Sequence, residues 1–371
     1  MKTRRLGRSG LQVSAISLGT EYLLNEPRDH AVRVIHAALD RGINYFDIFY
    51  AQPDIRDTMG VAFRGRREEA MITTHLGGCV ENGQHAKTRD LAISEHYFHD
   101  FLRRLETDYV DVVFLHNCDE QEDYEQLMDE DGLLGAARRY QEEGKARLIG
   151  FSGHTVATSL QAVESGAIDV LMFPVNILGN AVPGRRDLLD ACQTHDVALV
   201  AMKPFAGGRL LQGGDELRVE RFLVGGSDVS VRRTNAITPV RCLSYILEQP
   251  SVSTIVPGCR DVAELDAALA YWDATPEERD FAPLLAGFAQ YREGECVYCN
   301  HCLPCPSTID IGQTMRLLDA AQRVGVEQVR ADYAAMPTNA DDCIACGECE
   351  ARCPFGVEVI SRMEEAARAF A

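Results

Sequence analysis

Eight cysteines between positions 296 and 353 stand in two runs, Cys296-x2-Cys299-x2-Cys302-x2-Cys305-Pro306 and Cys343-x2-Cys346-x2-Cys349-x3-Cys353-Pro354. Thiolates separated by two residues in a tight loop can each reach a different iron of one cubane face. The fourth ligand comes from a distant Cys-Pro, which in two-cluster ferredoxins serves the other cluster. The spacing predicts two 4Fe–4S clusters, one on Cys296, Cys299, Cys302 and Cys353 and one on Cys343, Cys346, Cys349 and Cys305. Zinc fits less well, because zinc ribbons use paired CxxC ends rather than four cysteines in series. Two roles stay open for the clusters: passing electrons, or stapling a small domain whose core is too thin to fold alone. The remaining cysteines (Cys79, Cys118, Cys192, Cys242 and Cys259) are scattered, a distribution that argues against a disulfide scaffold.

Upstream of the cysteines, short β-branched runs alternate with segments of helical period. The runs are Val13–Leu18, Ile43–Phe46, Met71–Thr74, Val110–Leu115, Arg147–Phe151, Ile168–Phe173, Val197–Met202 and Thr254–Val256. Apolar residues at three- and four-residue spacing follow, as in Leu91, Phe98, Leu102 and Leu105, or Leu265, Leu269 and Trp272. Eight such repeats predict an α/β fold, a (β/α)8 TIM barrel over 1–275. A doubly wound open sheet is the rival, but no GxGxxG follows the first run. Beyond 275 the alternation stops at Thr275-Pro276-Glu277-Glu278, a helix start. The expectation for 276–371 is a small, mainly helical, ferredoxin-like iron–sulfur domain, with amphipathic helices near 311–324 and 357–370. The glycine-rich stretch from Pro204 to Ile237 is too long for an ordinary connection and reads either as a cover over a ligand or as a surface loop.

A parallel barrel gathers its chemistry at the C-terminal ends of its strands. The residues falling there are Asp47, His75, His116-Asn117, Ser152-Gly153-His154, Asn176, Lys203-Pro204 and Pro257-Gly258-Cys259-Arg260. One histidine or lysine in such a place is usually a satisfied side chain, but this many titratable ends on one rim point to a site.

Those residues give the sequence a resemblance to the aldo-keto reductases, and to the branch that carries a C-terminal ferredoxin-type domain. It rests on Gly42-Ile43-Asn44-Tyr45-Phe46-Asp47, Phe114-Leu115-His116, Ile149-Gly150-Phe151-Ser152-Gly153-His154, Met202-Lys203-Pro204, Val256-Pro257-Gly258 and both cysteine motifs. The resemblance implies hydride exchange between NADP(H) and a carbonyl or alcohol, by an Asp, a Tyr acid, a Lys that lowers the Tyr pKa and an orienting His. Asp47 and His116 match. Gln52 stands where the Tyr is usual, with Tyr50 two residues earlier, and His75 stands where the Lys is usual. Gln has no proton to give, and an imidazole is cationic only part of the time near neutrality. The expected catalytic set is therefore a modified one: Asp47, Tyr50, His75 and His116. For the cofactor, the resemblance implies Ser152 and Asn176 at the nicotinamide amide and Lys203 beside its ribose phosphate. Gly258 and Arg260 would lie near the adenosine phosphate, with Arg260 a candidate for a 2′-phosphate, which would favour NADP; an ordinary surface arginine is the alternative and slightly the better reading.

Hydride carriers move two electrons and clusters one, so joining them takes a converter, usually a flavin, for which the sequence shows no fingerprint. Three readings follow. In the first, the clusters relay electrons from a ferredoxin-like donor to a small-molecule substrate in the barrel. In the second, the clusters are structural and NADP(H) does the work. In the third, the chain is a non-catalytic electron-transfer or binding protein. A net charge of −19 argues against nucleic acid and anionic membranes as partners. No apolar run is long enough to span a bilayer and the basic N-terminus lacks an h-region, so a cytoplasmic location is expected.

Overall fold

The computed structural model describes residues 2–211, 216–219, 225, 229–232, 237–249, 251–286, 296, 302–353 and 356–371. Cys299 and Pro354 lie outside the described residues, as does most of the glycine-rich stretch. The chain divides into two compact units, Met1–Asp280 and Phe281–Ala371.

In the first unit eight parallel strands follow one another around a barrel: β1 (Leu18–Gly19), β2 (Tyr45–Asp47), β3 (Met71–Leu76), β4 (Val110–Leu115), β5 (Ala146–Ser152), β6 (Val170–Pro174), β7 (Ala198–Met202) and β8 (Val252–Val256). Single bridges Ile16↔Ile255 and Gly19↔Gly258 close the ring between its first and last strands. The first β-branched run does not form one strand. Gln12–Ser14 pairs antiparallel with Thr3–Arg5 in a hairpin, and only Leu18–Gly19 joins the barrel. Leu6 and Val13 from this hairpin region pack with Tyr45, Val112, Phe114, Val170, Met172, Ala198 and Val200, so the barrel is filled rather than hollow.

That interior set explains the mouth. Side chains repeat every two residues along a strand, so the column Tyr45 continues at Asp47, the column Val112–Phe114 at His116, and the column Val200 at Met202. Thr73 lies opposite Asp47, and His75 opposite Phe114. The residues that carry the polar rim are the upward continuation of the hydrophobic core.

Within the second unit, helices Ile311–Val324, Val326–Ala334 and Val359–Phe370 pack around Ile309, Met315, Leu318, Met363 and Ala366. Tyr333 stacks on Phe370 with ring centres 4.0 Å apart. The Arg352 guanidinium donates to the carbonyls of Cys302 (2.9 Å) and Pro304 (2.8 Å), tying the end of the first cysteine motif to the second. No helix among the described residues is long and apolar enough to cross a membrane.

Candidate active site

A cavity of about 650 Å³ opens over the barrel mouth. Asp47, Tyr50, His75, His116, Ser152, Lys203, Gly258 and Arg260 all line it. Asn176 is fully buried beside it, its Nδ2 donating to the Lys203 carbonyl at 3.1 Å. That bond holds Lys203 in a left-handed conformation (φ 55°), which costs a non-glycine residue on the order of 1 kcal/mol.

His75 joins the floor of the site together. Its Nε2 is 3.0 Å from Asp47 Oδ1, and its Nδ1 is 3.1 Å from His116 Nδ1. Asp47 Oδ1 also accepts the Thr73 hydroxyl at 2.7 Å. A lysine at position 75 could only donate, whereas an imidazole has one nitrogen facing Asp47 and the other facing His116. Asp47, His75 and His116 are each about 5–6% exposed. Burial pushes the His116 imidazole well below its usual range, with His75 and His85 adding repulsion.

Tyr50 lines the same cavity, its ring tilted 32° against that of Phe49 with centres 4.0 Å apart. Burial pushes its phenol up to about 12, and Glu21 and Tyr22 act in the same direction. No activated phenol results. The Gln52 Oε1 is buried without a hydrogen-bond partner among the described residues and carries no proton.

On the opposite side Lys203 Nζ donates to His154 Nε2 at 2.8 Å, so His154 Nδ1–H faces Asp119 Oδ2 at 3.1 Å. Burial lowers both Lys203 and His154 from their ordinary values. Burial alone would raise the Asp119 carboxyl, but its bonds to His154 hold it below the usual carboxylate range. The lysine placed by resemblance beside a ribose phosphate is thus engaged with an imidazole.

Arg260 sits at the far end of the cavity, about two-thirds exposed, 3.2 Å from Glu264 and over the Tyr22 ring. Gly258 presses its backbone against that ring, where an added Cβ would lie 2.3 Å from Tyr22. The cavity therefore runs from the Asp47–His116 floor to the Arg260 turn.

Four residues of the site escaped sequence reasoning: His85, Glu21, Phe49 and Asp119. His85 comes from a hairpin, Gly78–Glu81 with Gln84–Lys87, inserted after β3. Asn82 and Gly83 turn it with positive φ values of 50° and 78°, the two-residue turn that Asn-Gly favours. That dipeptide is the signal by which His85 could have been found. His85 Nε2 lies 3.1 Å from His116 Nε2.

In the second unit Cys305, Cys343, Cys346 and Cys349 line one small apolar cavity with Ile309, Ile311, Val359 and Met363. A sulfur-rich pocket walled by aliphatic side chains suits a cubane. Cys296, Cys302 and Cys353 are half-buried, and Cys299 lies outside the described residues.

The aldo/keto reductase family model matches residues 15–284, nearly three quarters of the sequence. The chain belongs to that family. A 4Fe-4S dicluster domain follows over residues 295–358. The sequence is 23% identical over 282 residues to the uncharacterized oxidoreductase YqkF of Bacillus subtilis, covering 71% of this chain and 89% of that protein. It is 26% identical over 288 residues to L-galactose dehydrogenase of Arabidopsis thaliana, covering 73% and 88%. The fold is similar to that of aldo-keto reductase AKR11C1 from Bacillus halodurans in its holo form (TM-score 0.61, 26% identity, 75% of this chain and 94% of that one). The protein is an oxidoreductase of this family with an iron–sulfur domain attached.

Proposed function

We infer that the barrel interconverts a carbonyl and an alcohol on a polar, hydroxyl-bearing small molecule, with imidazole in place of phenol as its acid–base group. One observation carries this reading. The family's lysine position holds His75, bonded through one nitrogen to Asp47 and through the other to His116, while Tyr50 stays a weak acid. The surrounding polar groups, Glu21, Tyr50, His85 and Lys203, suit a substrate with several hydroxyls, and a relative bears the name of a sugar dehydrogenase.

Ser152, Asn176, Gly258 and Arg260 would hold NADP(H), which supplies or accepts a hydride when bound. Cys296, Cys299, Cys302 and Cys353, and Cys343, Cys346, Cys349 and Cys305, would hold two 4Fe–4S clusters, which supply one-electron transfer. Cys346 is exposed and its neighbour Ile344 is 66% exposed, so this loop is open to a ferredoxin-like donor. These chain residues support a protein in which the clusters relay electrons and do more than staple the domain. In the barrel, burial holds the His116 imidazole well below its usual range at the floor of the cavity, and that buried floor excludes bulk water.

The test uses anaerobically purified full-length protein with an iron count of about eight per chain. Polyols, sugars and their carbonyl forms are offered with NADP(H) and with a reduced ferredoxin. Turnover of an alcohol–carbonyl pair, with bleaching of the roughly 400 nm cluster band during it, is expected. Turnover with a spectrally silent cluster band would instead support structural clusters. Absence of turnover with normal cluster redox cycling would support a non-catalytic carrier.

A further inference from the structure

We propose that Glu21, with Tyr22 and Tyr50, forms a subsite for a cationic amino group, so that the molecule taken by the barrel is an amino-bearing polyol. This deepens, and rests on, the carbonyl–alcohol reading above.

The observation is an unmatched charge. Among the described residues four carboxylates line the cavity over the barrel mouth: Glu21, Asp47, Asp119 and Glu264. Three of them have partners. Asp47 Oδ1 accepts the Thr73 hydroxyl at 2.7 Å and faces His75 Nε2 at 3.0 Å. Asp119 accepts the backbone N–H of His154 at 2.5 Å and faces the ring Nδ1 of the same residue at 3.1 Å. Glu264 accepts from the Arg260 backbone N–H at 2.8 Å and from its Nε at 3.2 Å. The Glu21 carboxylate makes neither a hydrogen bond nor an ion pair among the described residues. The two cations of the same lining are directed elsewhere, Lys203 Nζ to His154 Nε2 at 2.8 Å and Arg260 to Glu264.

The fold holds this charge in place. Glu21 opens the short turn Glu21–Leu23 that follows β1 directly. Leu23 is fully buried and anchors the turn, whereas Glu21 and Tyr22 are exposed and line the cavity. Just before it, the Thr20 backbone N–H (3.1 Å) and hydroxyl (2.7 Å) both donate to the Asp47 carbonyl, which fixes the turn against the end of β2. Glu21 raises the phenols of both Tyr22 and Tyr50 through space, so the carboxylate and the two rings share one corner of the cavity. Burial also raises the Glu21 carboxyl itself from its ordinary value. A carboxylate partly shielded from water and lacking a counter-charge is unfavourable, and a cationic ligand relieves it.

The chemistry of that corner selects the ligand. The Tyr22 and Tyr50 hydroxyls have no hydrogen-bond partner among the described residues and, with raised pKa values, keep their protons. An ammonium group brings three N–H donors and a full positive charge to one carboxylate and two phenol oxygens. The electron-rich tyrosine rings attract the same cation. A neutral hydroxyl offers one donor and no charge, and an anionic group at this corner would be repelled by Glu21. The remaining hydroxyls of the ligand extend towards the Asp47–His116 floor.

The test uses the full-length, cluster-loaded protein and two matched pairs of probes, glucosamine with glucose and 2-amino-1,3-propanediol with glycerol, titrated by ligand-observed NMR up to about 50 mM. Wild type should bind each amine about tenfold more tightly than its hydroxyl counterpart. Glu21→Gln keeps the size and a hydrogen-bonding oxygen but not the charge, and should bring that ratio close to one. Glu21→Asp should keep part of the preference, and added salt should shrink the ratio in wild type but not in Glu21→Gln. Equal binding of amine and hydroxyl, no saturable binding of either amine, or a preference that survives in Glu21→Gln would overturn the subsite. Turnover of an alcohol–carbonyl pair without any amine preference would sink the subsite alone. Selective amine binding with no turnover of any alcohol–carbonyl pair would sink the carbonyl–alcohol reading and leave Glu21 as a cation-binding group.

Discussion

Acidification from pH 7 to pH 5 should destabilise the barrel, and His85→Gln should remove a measurable share of that loss. The native imidazole of His85 titrates near 4 against an ordinary value of 6.5. A group whose native pKa is depressed stabilises the fold above its unfolded pKa, and that stability is lost as pH falls through 6.5 towards 4. Between pH 7 and pH 5 the unfolded chain takes up about three quarters of a proton at this residue and the native chain about a tenth of one. Linkage over that interval gives about 2 kcal/mol. Half-burial leaves the group partly screened, which reduces the figure to about 1 kcal/mol. Asp100, Asp119 and Asp123 have carboxyls held below their ordinary value, so their losses fall below this window. Burial raises Glu21 and Glu248, which opposes the trend equally in both proteins. The assay is urea unfolding of the anaerobic full-length protein at both pH values. The chain's one tryptophan, Trp272, lies in the first unit and reports on the barrel. Wild type should lose about 1 kcal/mol more than His85→Gln. Equal losses, within about 0.3 kcal/mol, would refute the claim that burial keeps this imidazole neutral.

Gly60→Ala would set a Cβ 2.2 Å from the Arg104 carbonyl across two packed helices, so a loss of about 2–3 kcal/mol and a lowered Tm are expected by calorimetry. Arg56 is 1% exposed and donates to the carbonyls of Tyr50 (3.1 Å) and Tyr97 (2.7 Å) and to Asp100 (3.3 Å). Arg56→Met should cost about 2–3 kcal/mol and raise KM, because the Tyr50 loop loses its anchor. Arg260→Ala should weaken NADPH binding about tenfold while changing NADH binding little, as read by fluorescence titration. Cys346→Ser should lower the iron content towards about four per chain and stop cluster-linked turnover, while barrel unfolding followed by Trp272 stays unchanged.

The barrel could be read from the chain because its strands are short apolar runs of period two, punctuated by helical segments. The observed strands fall on seven of the eight runs with ends displaced by one or two residues. The first run was split, since Val13 serves a hairpin while Ile16 and the short strand Leu18–Gly19 join the ring. The rim residues were legible for the same reason: Asp47 and His116 continue the inward columns of Tyr45 and Phe114, and a strand end in a parallel barrel has one place to go. Both cysteine motifs were likewise local, their spacing being enough to wrap a cubane face.

What the sequence by itself determined was which residue types stand at the mouth and where the cysteines lie, because periodicity and spacing are properties of neighbours along the chain. It could not decide that His85, carried on an Asn-Gly hairpin 31 residues before His116, meets that residue nitrogen to nitrogen. Nor could it decide that Lys203 meets His154 and Asp119. Contacts of this kind depend on how separate loops fold over one rim. The direction of a hydrogen-bond chain depends further on which nitrogen of each ring faces which partner. Only the tertiary structure sets those distances to about 3 Å.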